Sequence, residues 1–354
     1  MLSNVMMAPN LTIGLDLGDK ISRTCEVDAG GRVVKRSSVT TNPLMIDGYF
    51  GGRDRCRVVL EVGTHSPWIS RRIEALGHEV VIANPSAMYG KRRRKKRNDD
   101  MDAEFLARQG RADTSLLYPI RHRGVEVQAD LGLIRGRDQL VRSRTKLVNH
   151  VRGTVKAMGN RIGRCSAEAF PGRARPQIPE ELSLGLEPLL EVVSELTQRI
   201  RGMDREIQRV IDLRYPEAKL LQQIKGVGPV TALAFVLLVE DPNRFEESRQ
   251  VGAYFGLVPR LDESSDSQPQ LRITKSGDEL GRRLLVSAAQ YILGPFGAEC
   301  DLRRHGMGIA ERGGKNAKKR AVVAVARKLS IVMHRLWSRG AVYDPNHLAN
   351  KRAA

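Results

Sequence analysis

Residues 11–39 read LTIGLDLGDKISRTCEVDAGGRVVKRSSV, and this stretch decides the fold of the first part of the chain. An apolar run is followed by a run in which apolar and polar residues alternate, the period of a half-buried β-strand. The pair Gly30 and Gly31 then separates this second run from a third and predicts a turn. The stretch therefore predicts consecutive strands that include a β-hairpin.

The next segments continue the pattern of a sheet covered by helices. CRVVLEVG at 56–63 predicts a strand, a helical pattern runs from 67 to 76, and HEVVIANP at 78–85 predicts a short strand ended by proline. The segment NDDMDAEFLARQGR at 98–111 ends in a helical pattern. Strands alternating with helices predict an α/β domain.

The middle of the chain is helical in pattern. A basic helical stretch at about 115–160 is followed by an irregular, Pro- and Gly-containing stretch, which predicts a linker. Apolar residues then recur at alternating spacings of four and three, as in a coiled-coil seam. The partner helix could be the preceding basic helix or the same helix of another subunit. The seam consists of Leu189, Val193, Leu196, Ile200, Met203, Ile207 and Val210.

The last third of the chain is predicted to be mainly helical. LLQQIKGVGPVTALAFVLLVED at 220–241 contains two apolar stretches joined by Gly226-Val227-Gly228 and is similar to a helix-hairpin-helix motif. In that interpretation Gly226 and Gly228 let the backbone approach a phosphate, and the following helix offers its N–H groups. A simple turn between two helices is the alternative.

The charge of the chain points to a polyanionic partner. Its 354 residues include 59 Lys and Arg against 40 Asp and Glu, a net charge of +19. Seven of the Lys and Arg residues are consecutive, and this cationic run is either a solvated loop or a nucleic-acid contact. No apolar stretch is long enough for a membrane helix and no signal peptide is visible, so we expect a cytoplasmic protein without membrane contacts. The run consists of Lys91, Arg92, Arg93, Arg94, Lys95, Lys96 and Arg97.

Four carboxylates are candidate metal ligands. Asp16 and Glu61 lie within apolar runs, where a carboxylate is costly to bury unless a positive group meets it. Asp99 and Asp102 are three residues apart and share one helix face. Together the four could hold Mg²⁺, which prefers oxygen ligands and clamps phosphate oxygens. Taken singly, each is more commonly a surface or capping acid.

A serine in a polar loop is a candidate nucleophile. Ser264 has further serines nearby, and Arg260, Arg272 and Lys275 flank the loop. Serine is a weak nucleophile until it is deprotonated or placed beside a phosphate whose charge is neutralised, and these cations could supply that neutralisation. From composition alone, such a Ser-rich loop is far more often a hydrophilic linker, and spacing does not change this.

Seven motifs taken together resemble one family, the insertion-sequence one-ten family of DEDD-class transposases. Their order and rough spacing agree with that family from about residue 11 to the last helix, which is more specific than any single motif. The motifs are GLDLG (14–18), VLEVGTHSPW (59–68), IANP (82–85), NDDMDAEFLA (98–107), IKGVGPVTA (224–232), GLVPRLDESS (256–265) and ITKSGDELGRRLL (273–285).

The resemblance implies a domain order and the site residues. The family's four acidic positions fall on Asp16, Glu61, Asp99 and Asp102, and its nucleophilic serine falls on Ser264. Family members often have glycine after the serine, whereas Ser265 follows here, which leaves the choice between Ser264 and Ser265 open. The implied order is a RuvC-like, RNase H-type α/β domain (11–150), a linker (151–185), a coiled coil (186–215) and a mainly helical, serine-containing transposase domain (216–345).

The resemblance also implies partners and a reaction. Family members are thought to use a structured non-coding bridge RNA whose loops pair with donor and target DNA, while the serine attacks a DNA phosphate. The coiled-coil seam adds the expectation of a homo-oligomer, a dimer or a tetramer. Two other readings remain: a RuvC-like Holliday-junction resolvase that uses water as the nucleophile, and a non-catalytic nucleic-acid-binding protein.

Overall fold

The structure is a computed structural model that describes residues 9–88, 99–260 and 271–347. The chain divides into two compact units between Arg123 and Gly124. The first unit is a mixed α/β domain and the second is mostly helical. The domain boundary expected at residue 150 falls inside a continuous helix of the second unit.

The first unit is built on a five-stranded mixed sheet with the strand order β3-β2-β1-β4-β5. The chain runs antiparallel from β1 to β2 to β3, and β4 and β5 then add parallel to β1. The hairpin predicted at Gly30 and Gly31 is confirmed, and Gly31 has the left-handed backbone (φ 80°) that such a turn favours. The strands are β1 (Thr12–Asp16), β2 (Ile21–Val27), β3 (Val33–Thr40), β4 (Arg57–Glu61) and β5 (Glu79–Ala83).

Helices cover both faces of this sheet. The side chains of Ile13, Leu15 and Leu60 point to one face, where they pack with α1 and α2 in a buried apolar core. Helix α4 lies on the opposite face, where Leu106 packs with Val59. A 3₁₀ turn follows at Thr114–Leu117. The helices are α1 (Pro43–Phe50), α2 (Ser66–Ala75), α3 (Pro85–Met88) and α4 (Asp99–Ala112).

The second unit consists of helices and short connections. Two of the helices exceed thirty residues, and the described residues also form 3₁₀ turns at Arg175–Gln177 and Pro242–Arg244. Within the described part of the chain, no helix is long and apolar enough to cross a membrane. The helices are α5 (Val125–Ala157), α6 (Phe170–Ala174), α7 (Glu180–Arg214), α8 (Pro216–Leu221), α9 (Pro229–Val239), α10 (Gln250–Tyr254), α11 (Glu279–Leu293), α12 (Asp301–Ala310) and α13 (Ala317–Arg339).

Helices α5 and α7 form an antiparallel pair. Arg137 Nε donates to Asp204 Oδ1 at 2.8 Å, and Arg144 Nη1 donates to Thr197 Oγ1 at 3.0 Å, so later residues of α5 meet earlier residues of α7. Near one end of the pair, Asp130 accepts hydrogen bonds from Arg214 and Tyr215. Helix α5 therefore covers part of the predicted seam within the same chain, and the buried seam residues are Val193, Ile200, Ile207 and Val210.

The connection between α5 and α7 is more ordered than the linker expected over 151–185. Helix α5 continues to Ala157, and α6 buries Phe170 completely. Phe170 packs in one apolar cluster with Val151 of α5 and Leu190 of α7. The apolar residues of this connection pack against both long helices and form a small core. The proline and glycine residues that suggested a linker therefore belong to short connections around that core.

Candidate active site

Asp16 and Glu61 lie at the same level of the sheet, at the carboxyl ends of two neighbouring parallel strands. Leu15 pairs in register with Leu60, and the two acids follow them. Leu15 and Leu60 point into the core with α1 and α2, so alternation places both acids on the opposite face, toward α4. Both side chains are half-buried. Two carboxylates thus share one edge of the sheet.

Helix α4 crosses this face antiparallel to β1. Its second half lies near the strand starts, since Arg111 donates to the carbonyl of Pro9 at 2.9 Å and Arg57 donates to the carbonyl of Gly110 at 2.9 Å. Its first turn, which contains Asp102, therefore lies at the end of the sheet that carries Asp16. An ion pair between Arg23 and Asp100 at 3.7 Å agrees with this direction.

Gly14 allows this close packing. A Cβ at Gly14 would lie 1.9 Å from the carbonyl oxygen of Ala103 and 2.6 Å from the backbone nitrogen of Ala107. No side chain fits there, because the clash is with helix backbone. The first glycine of the GLDLG motif is thus explained by the approach of α4, two residues before Asp16.

Ion pairs hold α4 on the sheet. Arg36 of β3 donates to Glu104 at 2.5 Å, and Arg108 donates to the same carboxylate at 2.7 Å. Hydrogen bonds from Arg36, and then from Arg108, hold the pKa of Glu104 below its ordinary value. Glu104 therefore remains ionised at neutral pH and ties the helix to the edge strand.

The four predicted acids converge only in part within the described structure. Asp99 is the first residue of α4, and Asp102, one turn later, is half-buried. Across the described ranges, no three His, Cys, Asp or Glu side chains lie close enough together to hold a metal ion. The donor chemistry nevertheless fits Mg²⁺, which is usually bound by one or two carboxylates together with water and substrate phosphates.

Ser66 and His122 form hydrogen bonds at the turn that follows Glu61. Ser66 Oγ donates to the carbonyl of Gly63 at 2.8 Å, and the N–H of Gly63 donates back to Oγ at 2.9 Å. His122 Nε2 lies 2.8 Å from the same Oγ. These hydrogen bonds hold the turn that follows Glu61.

The two ends of the segment that contains Ser264 are paired with each other. We call the paired residues 258–260 and 272–274 the closed base. Pro259 and Ile273 form an antiparallel bridge, the N–H of Arg260 donates to the carbonyl of Arg272 at 3.0 Å, and Thr274 donates similarly to Val258 at 2.9 Å. The side chains of Arg260, Arg272 and Lys275 are all exposed. The structure thus brings these three predicted cations to the base of one segment.

Two glycines and an arginine keep the two sides of this base in contact. A Cβ at Gly256 would lie 2.2 Å from the carbonyl oxygen of Ser276, and one at Gly277 would lie 2.0 Å from that of Tyr254. Arg282 of α11 donates to the carbonyl of Ser276 at 2.9 Å and to that of Phe255 at 3.2 Å. The guanidinium group of Arg282 therefore links the part of the chain before the segment to the part after it.

The two glycines predicted to contact nucleic acid lie in different environments. Gly226 has a left-handed backbone (φ 103°), and a Cβ there would lie 3.0 Å from the Tyr291 ring, so packing on α11 explains this glycine. Gly228 precedes α9 and is exposed. The cationic run 91–97 and the serines Ser264 and Ser265 lie outside the described residues.

Several residues that shape the site were not predicted from the sequence. Gly14 could have been recognised, since a glycine inside a strand often marks a close backbone approach. Glu104 and Arg36 are 68 residues apart and carry no local signal of their pairing. The same holds for Arg282, whose two acceptors are backbone carbonyls.

Replacing Gly14 with alanine should displace α4 and destabilise the first unit. We expect the free energy of unfolding to fall by about 1–3 kcal/mol, as for other overpacked sites, because the added methyl group meets helix backbone. Urea unfolding measures this loss. Gly48→Ala is the matched control, because nothing lies within 4 Å of a Cβ there. Equal stability of the two variants would contradict the close packing.

Comparison with known proteins gives matches over both units. Residues 218–297 match a family described as "Transposase IS116/IS110/IS902 family", and residues 13–159 match a DEDD family described as "Transposase". The matched ranges include every acidic site position, the segment with Ser264, and the helices on either side of that segment.

Relatives match along most of the chain. A "Probable family 20 transposase" of Pseudomonas aeruginosa is 28% identical over 94% of this chain and 98% of its own length. The transposase for insertion sequence element IS1111A of Coxiella burnetii is 28% identical over 94% of this chain and 90% of its own length. The transposase for IS1328 of Yersinia enterocolitica is 27% identical, covering 80% of this chain and 85% of that protein.

Proposed function

The chain belongs to the IS116/IS110/IS902 family of transposases, which cleave and rejoin DNA, and we propose that it is an RNA-guided recombinase of an insertion sequence. In this proposal, a carboxylate site on the first unit binds Mg²⁺. Ser264 on the second unit is the nucleophile. A bridge RNA selects donor and target DNA by base pairing.

The observation that carries the proposal is the antiparallel packing of α4 on β1. It brings the first turn of α4 to the strand ends of Asp16 and Glu61, although Asp102 is more than forty residues from Glu61 in the sequence. The strand order, with an antiparallel β1-β2-β3 meander extended by parallel β4 and β5, supports a RuvC-like, RNase H-type domain. A carboxylate site at this sheet edge is the feature that such a nuclease domain requires.

We assign the metal ligands to Asp16, Glu61, Asp99 and Asp102. When bound, Mg²⁺ would neutralise the phosphate oxygens of the DNA strand. Asp16 and Glu61 would supply oxygen donors from rigid strands, and Asp99 and Asp102 from the first turn of α4. The ion pairs of Glu104 would keep that turn in place.

We assign the covalent step to Ser264, with Ser265 as its neighbouring alternative. The serine oxygen forms a bond to the DNA phosphorus, the bond from phosphorus to one bridging DNA oxygen breaks, and the serine proton ends on the released DNA hydroxyl. One phosphodiester is exchanged for another, so rejoining needs no external energy source. Arg260, Arg272 and Lys275, exposed at the base of the segment, would neutralise the phosphate under attack.

Guidance by RNA is consistent with the composition of the chain. A protein that delegates sequence recognition to base pairing needs contacts with the phosphate backbone, and a net charge of +19 with 5% aromatic residues provides charge and few stacking platforms. The cationic run 91–97 and the turn at Gly226 and Gly228 would contribute such contacts. We further propose a dimer or tetramer, supported by the exposed apolar residues Leu184 and Val192 of α7.

The experiment that tests this function is a reconstituted strand-exchange reaction. The protein is mixed with donor DNA, target DNA and Mg²⁺, with and without RNA transcribed from the DNA that flanks its gene. We expect joined donor–target product only when RNA is present, and we expect altered RNA loops to redirect the junction to matching DNA. Junctions formed at the same sites without RNA would contradict RNA guidance.

A further inference from the structure

The C-terminal part of the second unit carries most of the net positive charge of the chain. Residues 303–343 contain 11 Lys and Arg and one acidic residue, Glu311, a net charge of +10 in a chain whose total is +19. This stretch lies beyond residues 218–297, the range matched to the family. Its charge is therefore not explained by the site described above.

Five of these cations form one exposed patch where α12 meets α13. The connection between the two helices contains Gly313 (φ 75°) and Gly314 (φ 88°), and nothing lies within 4 Å of a Cβ at either glycine. The turn therefore projects into solvent. We call these cations the turn patch; it consists of Arg312, Lys315, Lys318, Lys319 and Arg320, all of which are exposed.

Within the described structure, the cations of the turn patch lack the acidic partners that several arginines of the long helices have. On α5 and α7, Arg137, Arg199 and Arg209 are each paired with a carboxylate. Within the described ranges, no cation of the turn patch is within ion-pair distance of an Asp or Glu. Five like charges within residues 312–320 repel one another, and a bound polyanion would relieve that repulsion.

The surroundings of the turn patch favour a regular phosphate backbone as the ligand. Beneath it, Ala317, Ala321 and Val325 are buried, so the cations stand on packed helices. Burial, and then the nearby cations Lys328 and Arg312, lower the pKa of His305 on α12. Residues 303–343 contain two aromatic residues, Trp337 and Tyr343, so this stretch offers few of the stacking platforms that single strands use.

We propose that the turn patch is a second DNA-binding surface, which grips the phosphate backbone of duplex DNA without reading its sequence. DNA is the substrate class of a transposase, so the inference depends on family membership and concerns binding alone. It does not depend on the serine chemistry proposed above. The surface would hold the DNA outside the segment that contains Ser264 and add to the affinity for any duplex.

The test measures the salt dependence of binding in a chain that also carries Ser264→Ala, so that cleavage cannot interfere. The triple variant K318Q/K319Q/R320Q is compared with R199Q/R209Q/R249Q, which removes the same charge from exposed, ion-paired arginines elsewhere. The probe is a duplex DNA of about 30 base pairs and arbitrary sequence, long enough for several phosphate contacts. Thermal unfolding verifies that both triple variants are folded.

We expect the turn-patch variant to bind duplex DNA at least ~10-fold more weakly at 0.1 M salt and to lower the slope of log K against log salt by about 2 to 3. The control variant should retain most of the affinity and slope. Wild-type affinity and slope in the turn-patch variant would overturn the proposal. So would an equal loss in both variants, or a loss confined to structured RNA.

Discussion

Replacing Ser264 with alanine should abolish the covalent protein–DNA adduct and reduce strand cleavage by at least about 10³-fold, as expected when a catalytic nucleophile is removed. The reason is chemical, since alanine has no oxygen to bond to the DNA phosphorus. Denaturing gel electrophoresis of end-labelled DNA after incubation with protein and Mg²⁺ measures both products, because only a covalent adduct survives denaturation.

Ser265→Ala is the matched control for this experiment. It removes a hydroxyl from the next residue of the same polar segment, so any general effect of the substitution should appear in both variants. We expect Ser265→Ala to retain the adduct and most of the cleavage. The reverse pattern would move the nucleophile to Ser265. Full cleavage without an adduct in the wild type would favour a water nucleophile and a junction-resolving nuclease.

The second large effect concerns the carboxylates at the sheet edge. We expect Asp16→Asn and Asp102→Asn each to reduce strand cleavage by about 10²-fold or more, since a neutral amide is a poor ligand for a hard cation. DNA binding should be retained, because in the proposed function the contacts with the phosphate backbone are made by cations. Cleavage rates measured across a Mg²⁺ titration, with parallel binding measurements, test both expectations.

Asp100→Asn provides the control on the same helix turn. Asp100 is exposed and pairs with Arg23 at 3.7 Å, and it lies outside the acidic motif. Its substitution removes the same charge two residues before Asp102 and should leave cleavage within a few-fold of the wild type. If Asp100→Asn were as damaging as Asp102→Asn, the effect would be one of local charge. If Asp16→Asn and Asp102→Asn recombined DNA normally, the assignment of the metal ligands would fail.

The sequence predicted the sheet and the family well, because these depend on local patterns. Strands β1 to β5 fall on the apolar and alternating runs identified in the sequence, and α4 begins in the acidic cluster and continues through the helical pattern that follows. The motifs that carried the resemblance span both units, and family membership follows from the matched ranges. Local periodicity is therefore sufficient for element type, as expected for strongly patterned segments.

The arrangement of the site needed long-range information. The direction of α4 is fixed by the hydrogen bonds from Arg111 to Pro9 and from Arg57 to Gly110, each joining residues at least fifty positions apart. Likewise, the span expected to be a linker is ordered because Phe170 packs with Val151 of α5 and Leu190 of α7. These partners are too distant in the sequence for local periodicity to reveal the contact. Such contacts depend on which apolar faces meet, and composition alone does not specify this.

The closed base holds the two ends of the segment 261–270 through residues that lie outside it. Backbone hydrogen bonds from Arg260 to Arg272 and from Thr274 to Val258, together with the bridge by Arg282, hold both ends of the segment. Since each doubling of the length of a loop with fixed ends costs only about 0.6 kcal/mol, residues 261–270 can be replaced by segments of other lengths between the same two ends. Relatives could diversify their chemistry there while the scaffold stays unchanged, and an engineer could graft segments between them at the same two anchor points.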